Sequence, residues 1–314
     1  MSKLLVVFGA TGQQGGSVID YVLNDPVLSK EYSLRAITRN ASRPDAQELQ
    51  SRGVEVVAAD ADSPETLPAA LANAHTVFLV TVSIYDDQLK PREYRQAKAV
   101  ADEAVAAGAK SIIFSSCVAA ERLHGRPVPA FDSKADAEVY IRTLPIHSAF
   151  FAPGNFMQNF FGNQAPRLLP GEEGSEPTYA ITNFLEPDTA VPLVNTVGDT
   201  GKYVGAILAN PEQYNGKIFY AASGLYKYSQ IAEILTRITG NKTIYNQISQ
   251  EQWTSFMPEG YRESIVPMMQ FIQNPGYFGP NSKESVEWTV QQARGKVTSF
   301  EEFVEKNAEA LYKQ

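Results

Sequence analysis

The sequence predicts an α/β fold: a Rossmann-type doubly wound parallel sheet with a smaller, mostly helical C-terminal lobe. Three observations carry this. Short β-rich runs alternate with helical stretches through the first half. Most of those runs are nearly continuous in apolar residues, as strands are when helices cover both faces of a sheet. A glycine-rich turn stands directly after the first run. With 314 residues the chain exceeds one average domain. The pattern assigns residues 1–153 to the sheet-bearing unit, with later strands from about 185–222 returning to it, and residues 154–184 and 223–314 to the smaller lobe.

The elements follow in order. The first strand, 3–8, is an apolar run too short for the core of a signal peptide, and it enters the glycine turn at once. Further β-rich runs fall at 33–39, 54–60, 76–81, 111–116 and 148–152. Helices fit between them at 16–23, 46–52, 64–72, 92–107 and 131–143. Residues 163–178 carry Gly, Pro and acidic residues without a sustained period and read as an excursion away from the sheet. Beyond Gly224 the chain reads as mostly helical, with Ser249 and Gln252, and Ser299 and Glu302, spaced as capping boxes.

Composition excludes several functions. The net charge of -8, from 27 basic and 35 acidic residues, opposes non-specific attraction to nucleic acid or an anionic membrane. Any role in gene regulation is therefore expected to run through a protein partner. No apolar run reaches the roughly 18 residues of a membrane span. The single cysteine, Cys117, excludes an internal disulfide framework and suits a reducing compartment, the cytoplasm or the nucleus. His75, His124 and His147 are far apart and no metal-ligand spacing occurs, so no metal is expected.

The chemistry concentrates at Gly9-Ala10-Thr11-Gly12-Gln13-Gln14-Gly15-Gly16, between a predicted strand and a predicted helix. Glycines there permit a tight turn and close backbone approach, and the helix N-terminus offers free N–H groups to a pyrophosphate. NAD enzymes place a carboxylate at the end of the second strand, on the ribose 2′-hydroxyl. This chain has Thr38-Arg39-Asn40. Arg39 can pair with a 2′-phosphate, so NADP(H) is expected in preference to NAD(H), unless Arg39 is simply a solvated surface residue. Asp60-Ala61-Asp62 stands where an adenine pocket would form, although Asp62 or Ser63 could equally cap the following helix. Thr81-Val82-Ser83 would pass beneath the cofactor.

These segments, with Phe131-Asp132-Ser133-Lys134 and Gly154-Asn155-Phe156-Met157-Gln158-Asn159, resemble the NmrA-like branch of the short-chain dehydrogenase superfamily, including its NADPH-sensing members. The resemblance implies cofactor contacts from Gly9, Ala10, Thr11, Gly12, Gln13, Gln14, Gly15, Thr38, Arg39, Asp60, Ala61, Thr81, Val82, Ser83, Lys98, Lys134, Asn155, Phe156, Met157 and Gln158. It also implies NADP(H) binding without established turnover and regulation of partner proteins, a GATA-type transcription factor in the fungal founder of the family.

Short-chain dehydrogenases use a Tyr-x-x-x-Lys helix, whose lysine holds the ribose and lowers the tyrosine pKa. With Lys134 as that lysine, Ala130 occupies the tyrosine position, and Tyr140 lies on another helix face. Lys98 and Lys134 each have a plainer reading as surface lysines. Cys117 reads as a small packed residue rather than a redox centre, and Trp253, Trp288 and the run 268–271 as core. The expectation is an NADP(H)-binding regulator, a redox sensor acting through partner proteins, without standard dehydrogenase catalysis. The alternative is an NADPH-dependent reductase of a small carbonyl or enone-type substrate, with Lys134 or water as proton source; a scaffold with purely structural cofactor is a third reading.

Overall fold

The structure, a computed structural model, describes residues 2–172, 174–255 and 257–313. Strand β1 (Lys3–Phe8) leads through the glycine turn into α1 (Gln13–Asn24), followed by α2 (Leu28–Glu31), β2 (Tyr32–Thr38), α3 (Pro44–Ser51) and β3 (Glu55–Ala58). A 3₁₀ turn at Pro64–Thr66 continues into α4 (Leu67–Leu71), then β4 (Thr76–Leu79), α5 (Leu89–Ala106), β5 (Ser111–Ser115), α6 (Ala120–His124), α7 (Pro129–Ile141) and β6 (His147–Pro153). The remainder carries β7 (Asn155–Phe156), β8 (Arg167–Leu168), β9 (Tyr179–Asn183), β10 (Ala190–Val194), α8 (Thr196–Ala209), β11 (Ile218–Ala221), β12 (Gly224–Lys227), α9 (Tyr228–Thr239) and β13 (Thr243–Gln247). Helices α10 (Gln250–Thr254), α11 (Glu259–Gln273), α12 (Ser282–Gln292) and α13 (Phe300–Asn307) close the chain.

The central sheet has seven strands in the order β11-β6-β5-β4-β1-β2-β3, all paired in parallel. The order reverses between β1 and β4, which opens a crevice beyond the C-terminal ends of those strands. Both sheet faces are buried, and the pleat divides each strand between them. In β1, Leu5 and Val7 pack with Val18, Ile19, Val204 and Ile207 of α1 and α8. Val6 and Phe8 pack with Leu67, Leu71, Ala97, Val100 and Ile141 of α4, α5 and α7.

Of residues 185–222, β11 joins this sheet, whereas β10 pairs with β7 and β12 in a separate small sheet. The segment 163–178 does leave the central sheet, and its β8 pairs with β9, which in turn pairs with β13. The part beyond Gly224 is mostly helical, but β12 and β13 interrupt it. Strands β8 and β13 carry no continuous apolar run: β8 is exposed throughout, and β13 alternates only weakly. Both capping boxes form, at Ser249 with Gln252 and Ser299 with Glu302. A separate core that includes Met157, Ile181, Leu193, Ile231, Phe271 and Phe300 holds this region together.

Candidate functional site

The turn after β1 is built by its glycines. Gly9 adopts a positive φ of 65°, and its carbonyl accepts the Gly12 amide at 2.9 Å. Gly12 then caps α1 without any side-chain hydrogen bond, so the first-turn amides are left to a ligand or water. A Cβ on Gly15 would stand 2.3 Å from the Gly9 carbonyl oxygen. Only glycine lets α1 press so closely on the turn. Gln14, in the first turn of α1, accepts a hydrogen bond from Ser115 at the end of β5, at 2.8 Å.

A cavity of about 450 Å³ opens from this turn across the ends of β1, β2 and β3. Gly9, Thr11, Gly12, Thr38, Arg39, Asp60, Ala61 and Val82 all line it, so seven of these sequence-derived positions besides Gly9 converge there. Arg39 is exposed at the end of β2. Arg43 and Gln96 are among the lining residues that escaped sequence reasoning. Arg43 stands at the N-cap of α3, 3.2 Å from Asp45. Gln96, buried on α5, accepts the Val82 amide at 3.1 Å and donates to Asp62 at 2.8 Å, tying two strand ends together. The Asp60 carboxylate accepts the Asp62 amide at 3.0 Å, and Ser63 caps its 3₁₀ turn without a side-chain bond.

A second cluster lies at the end of β4. Lys134 on α7 donates to Thr81 Oγ1 at 3.0 Å, to Ser83 Oγ at 3.1 Å, and to Glu93 Oε1 of α5. Glu93 is almost wholly buried, and also accepts from Thr81, Ser83 and Ser133. Burial alone would raise its carboxyl. The Lys134 charge, with hydrogen bonds from Lys134, Ser133 and Ser83, outweighs that and holds it below the usual carboxylate range. Glu93 sits 41 residues from Lys134 in sequence, with no local signal of the pairing.

Other expected positions are engaged elsewhere. The structure does not bring Lys98 to the cavity: its ammonium bonds Asp102 at 2.5 Å and the Tyr140 hydroxyl at 3.0 Å, on the α5 face against α7. Tyr140, tied there, offers no substitute for the hydroxyl missing at Ala130. In the segment after β6, Asn155 bonds Gln164 at 2.8 Å, Phe156 packs against the first core, and Met157 is fully buried. Gln158 bonds Asn195 at 2.8 Å and the Thr196 amide at 3.0 Å. Burial pushes the Cys117 thiol up to about 12, which favours the unreactive thiol over the thiolate. Among the described residues no group of His, Cys, Asp or Glu is arranged to hold a metal ion, and no helix is long and apolar enough to cross a membrane.

Comparison with known proteins places this geometry. The family model described as NmrA-like family matches residues 1–304. The NmrA-like family domain-containing oxidoreductase lnaB of Aspergillus flavus is 30% identical over 299 residues, covering 90% of this chain and 87% of that protein. An NmrA-like family domain-containing protein of Dictyostelium discoideum is 28% identical, covering 98% of both chains. Among solved structures, NmrA, a negative transcriptional regulator in complex with NADP, superposes with a TM-score of 0.80 at 22% identity, over 97% of this chain and 95% of that one. Citrobacter sp. triphenylmethane reductase complexed with NADP(H) gives 0.75 at 24%, over 98% and 99%. At these identities the two structures establish the shared fold.

Proposed function

The chain belongs to the NmrA-like family, and from that premise we propose that it binds a nicotinamide dinucleotide, NADP(H) in preference to NAD(H), and regulates a protein partner such as a transcription factor. The observation that carries the reading is the single cavity joining the uncapped α1 terminus at Gly12 to the Arg39 side chain. The amides suit a pyrophosphate, and the arginine suits a 2′-phosphate. NmrA structures in complex with NADP and with NAD support dinucleotide binding and leave the preference to Arg39. Ala130 in place of the tyrosine favours binding over turnover. Such a regulator would act in the cytoplasm and nucleus.

A second reading has its own support: fungal relatives at 27–30% identity are named oxidoreductases. Here hydride passes from the reduced nicotinamide to a carbonyl or enone carbon, leaving oxidised cofactor, and the proton comes from Lys134 or water. Titration with NADPH, NADP⁺, NADH and NAD⁺, followed by an NADPH-consumption screen on carbonyl compounds, separates the two. Affinity without turnover supports the regulator, and rapid turnover the reductase. Failure to bind any of the four ends both.

A further inference from the structure

An ammonium group has three N–H donors and no acceptor. In this structure Lys134 spends all three inside the protein, on Thr81, Ser83 and Glu93. The two hydroxyls in turn donate to Glu93 Oε1, at 3.2 Å from Thr81 and 2.7 Å from Ser83, while Ser133 donates to Oε2. The network closes on itself. Every proton has an acceptor, and the one carboxylate at its centre has 1% exposure.

We propose that Glu93 is the positioning residue of the site, holding the Lys134 ammonium in place so that it anchors a bound ligand hydroxyl rather than serving as a proton donor. The anchoring role rests on the reading that the cavity takes a dinucleotide whose ribose reaches Lys134. A general acid must release its proton during the reaction. If Lys134 did so, the Glu93 carboxylate would be left buried without its partner, one of the costlier single losses in a protein interior. Ser83 is the exposed member of the network. A ribose hydroxyl can replace its oxygen on the ammonium while Thr81 and Glu93 keep hold of the other two protons.

The surrounding groups leave this pair in control of the local charge. Burial holds the Cys117 thiol and the Tyr85 hydroxyl up to about 12, and raises the Tyr277 hydroxyl well above its ordinary value. On α7, Asp132 accepts the amides of Glu121 and Val128, and Glu138 is paired with Arg142. Lys90 of α5 is spent on Asp136.

Trace labelling with acetic anhydride, read per lysine by peptide mass spectrometry, tests the pairing without any cofactor. Lys134 is expected to react at least about tenfold more slowly than the exposed Lys30, because its three N–H donors are engaged and its side chain is largely covered. In Glu93→Gln the labelling of Lys134 relative to Lys30 should rise by about tenfold or more, and Glu93→Asp, which restores the charge, should return it towards wild type. Wild-type Lys134 reacting like Lys30, or unchanged Lys134 labelling in a folded Glu93→Gln, overturns the proposal. NADPH titrations add the functional arm: affinity should fall by about tenfold or more in Glu93→Gln and recover towards wild type in Glu93→Asp. Labelling as expected with no dinucleotide binding would leave the pairing standing and remove the reading of the cavity. Binding that depends on Lys134 but is equal in wild type and Glu93→Gln would do the reverse.

Discussion

On the proposed reading a single side chain, Arg39, would decide between two cofactors that differ by one phosphate. It reaches the cavity from the end of β2, where a carboxylate would repel that phosphate. A hydrogen bond to a charged group contributes about 1.5–3 kcal/mol. Arg39→Ala should therefore weaken NADP(H) by roughly ten- to a hundredfold and spare NAD(H), measured by calorimetry or fluorescence. Equal losses for both would show that Arg39 does not meet the 2′-phosphate. Gly15 makes a harsher demand, because the atom in its way is backbone: a methyl group would meet the Gly9 carbonyl oxygen at 2.3 Å. Gly15→Ala should destabilise the protein by about 1–3 kcal/mol and weaken every dinucleotide together. The glycines and Arg39 were legible in the sequence because their chemistry depends on position relative to one strand. Glu93, Arg43 and Gln96 were not, since each acquires its role from a partner or a cavity wall supplied by the tertiary fold.

Among the elements, α1 and α8 pack unusually closely, and glycine sets the distance. A Cβ on Gly201 would lie 2.3 Å from Tyr21 Cβ and 2.4 Å from the Ser17 carbonyl oxygen, and one on Gly205 would lie 2.4 Å from the Tyr21 ring. Ser17 also accepts the Gly201 amide at 3.0 Å. Alanine in place of glycine within a helix ordinarily gains about 1 kcal/mol. Here overpacking against backbone costs about 1–3 kcal/mol and wins. Gly201→Ala should lower the thermal midpoint, and by displacing α1 it should also weaken dinucleotide binding, although residue 201 is far from the cavity in sequence. A raised midpoint with unchanged affinity would show that α1 and α8 can separate freely. Close packing on the central sheet explains why the first half was readable: β1, β4, β5 and β6 are buried along most of their length and are nearly continuous in apolar residues. Strands β8 and β13 of the small sheets lack that pressure. In β8 the two residues, Arg167 and Leu168, are both exposed, and in β13 one residue of five is buried. Their pairing depends on each other and leaves little trace in local composition.

For the molecule as a whole, the C-terminal part is strapped to the central unit by charges on the segment between α12 and α13. Arg294 pairs with Asp25 at 2.8 Å and its carbonyl accepts from the Tyr21 hydroxyl, both at the end of α1. Four residues on, Thr298 donates its amide and hydroxyl to the buried Asp199 of α8. Burial alone would raise Asp25, but the Leu28 amide, the Arg294 guanidinium and the Val27 amide together bring it down to about 2. A carboxyl held below its unfolded value adds stability that is complete above about pH 4 and is lost as pH falls from there towards 2. Glu93 is depressed in the same direction, so its contribution fades over the same side of the scale. The half-exposed Glu302 and the exposed Glu309 are paired with Lys296 and Lys313 at the surface, where such bridges add little. Urea midpoints should thus drop steeply between about pH 4 and 2. Asp25→Asn, which keeps an acceptor for the two amides but cannot titrate, should be less stable than wild type at neutral pH. It should lose less on acidification, so that the two curves converge towards about pH 2. Parallel curves across that range would mean that Asp25 titrates alike in the folded and unfolded chain, and that the strap at Arg294 carries no acid-sensitive part of the stability.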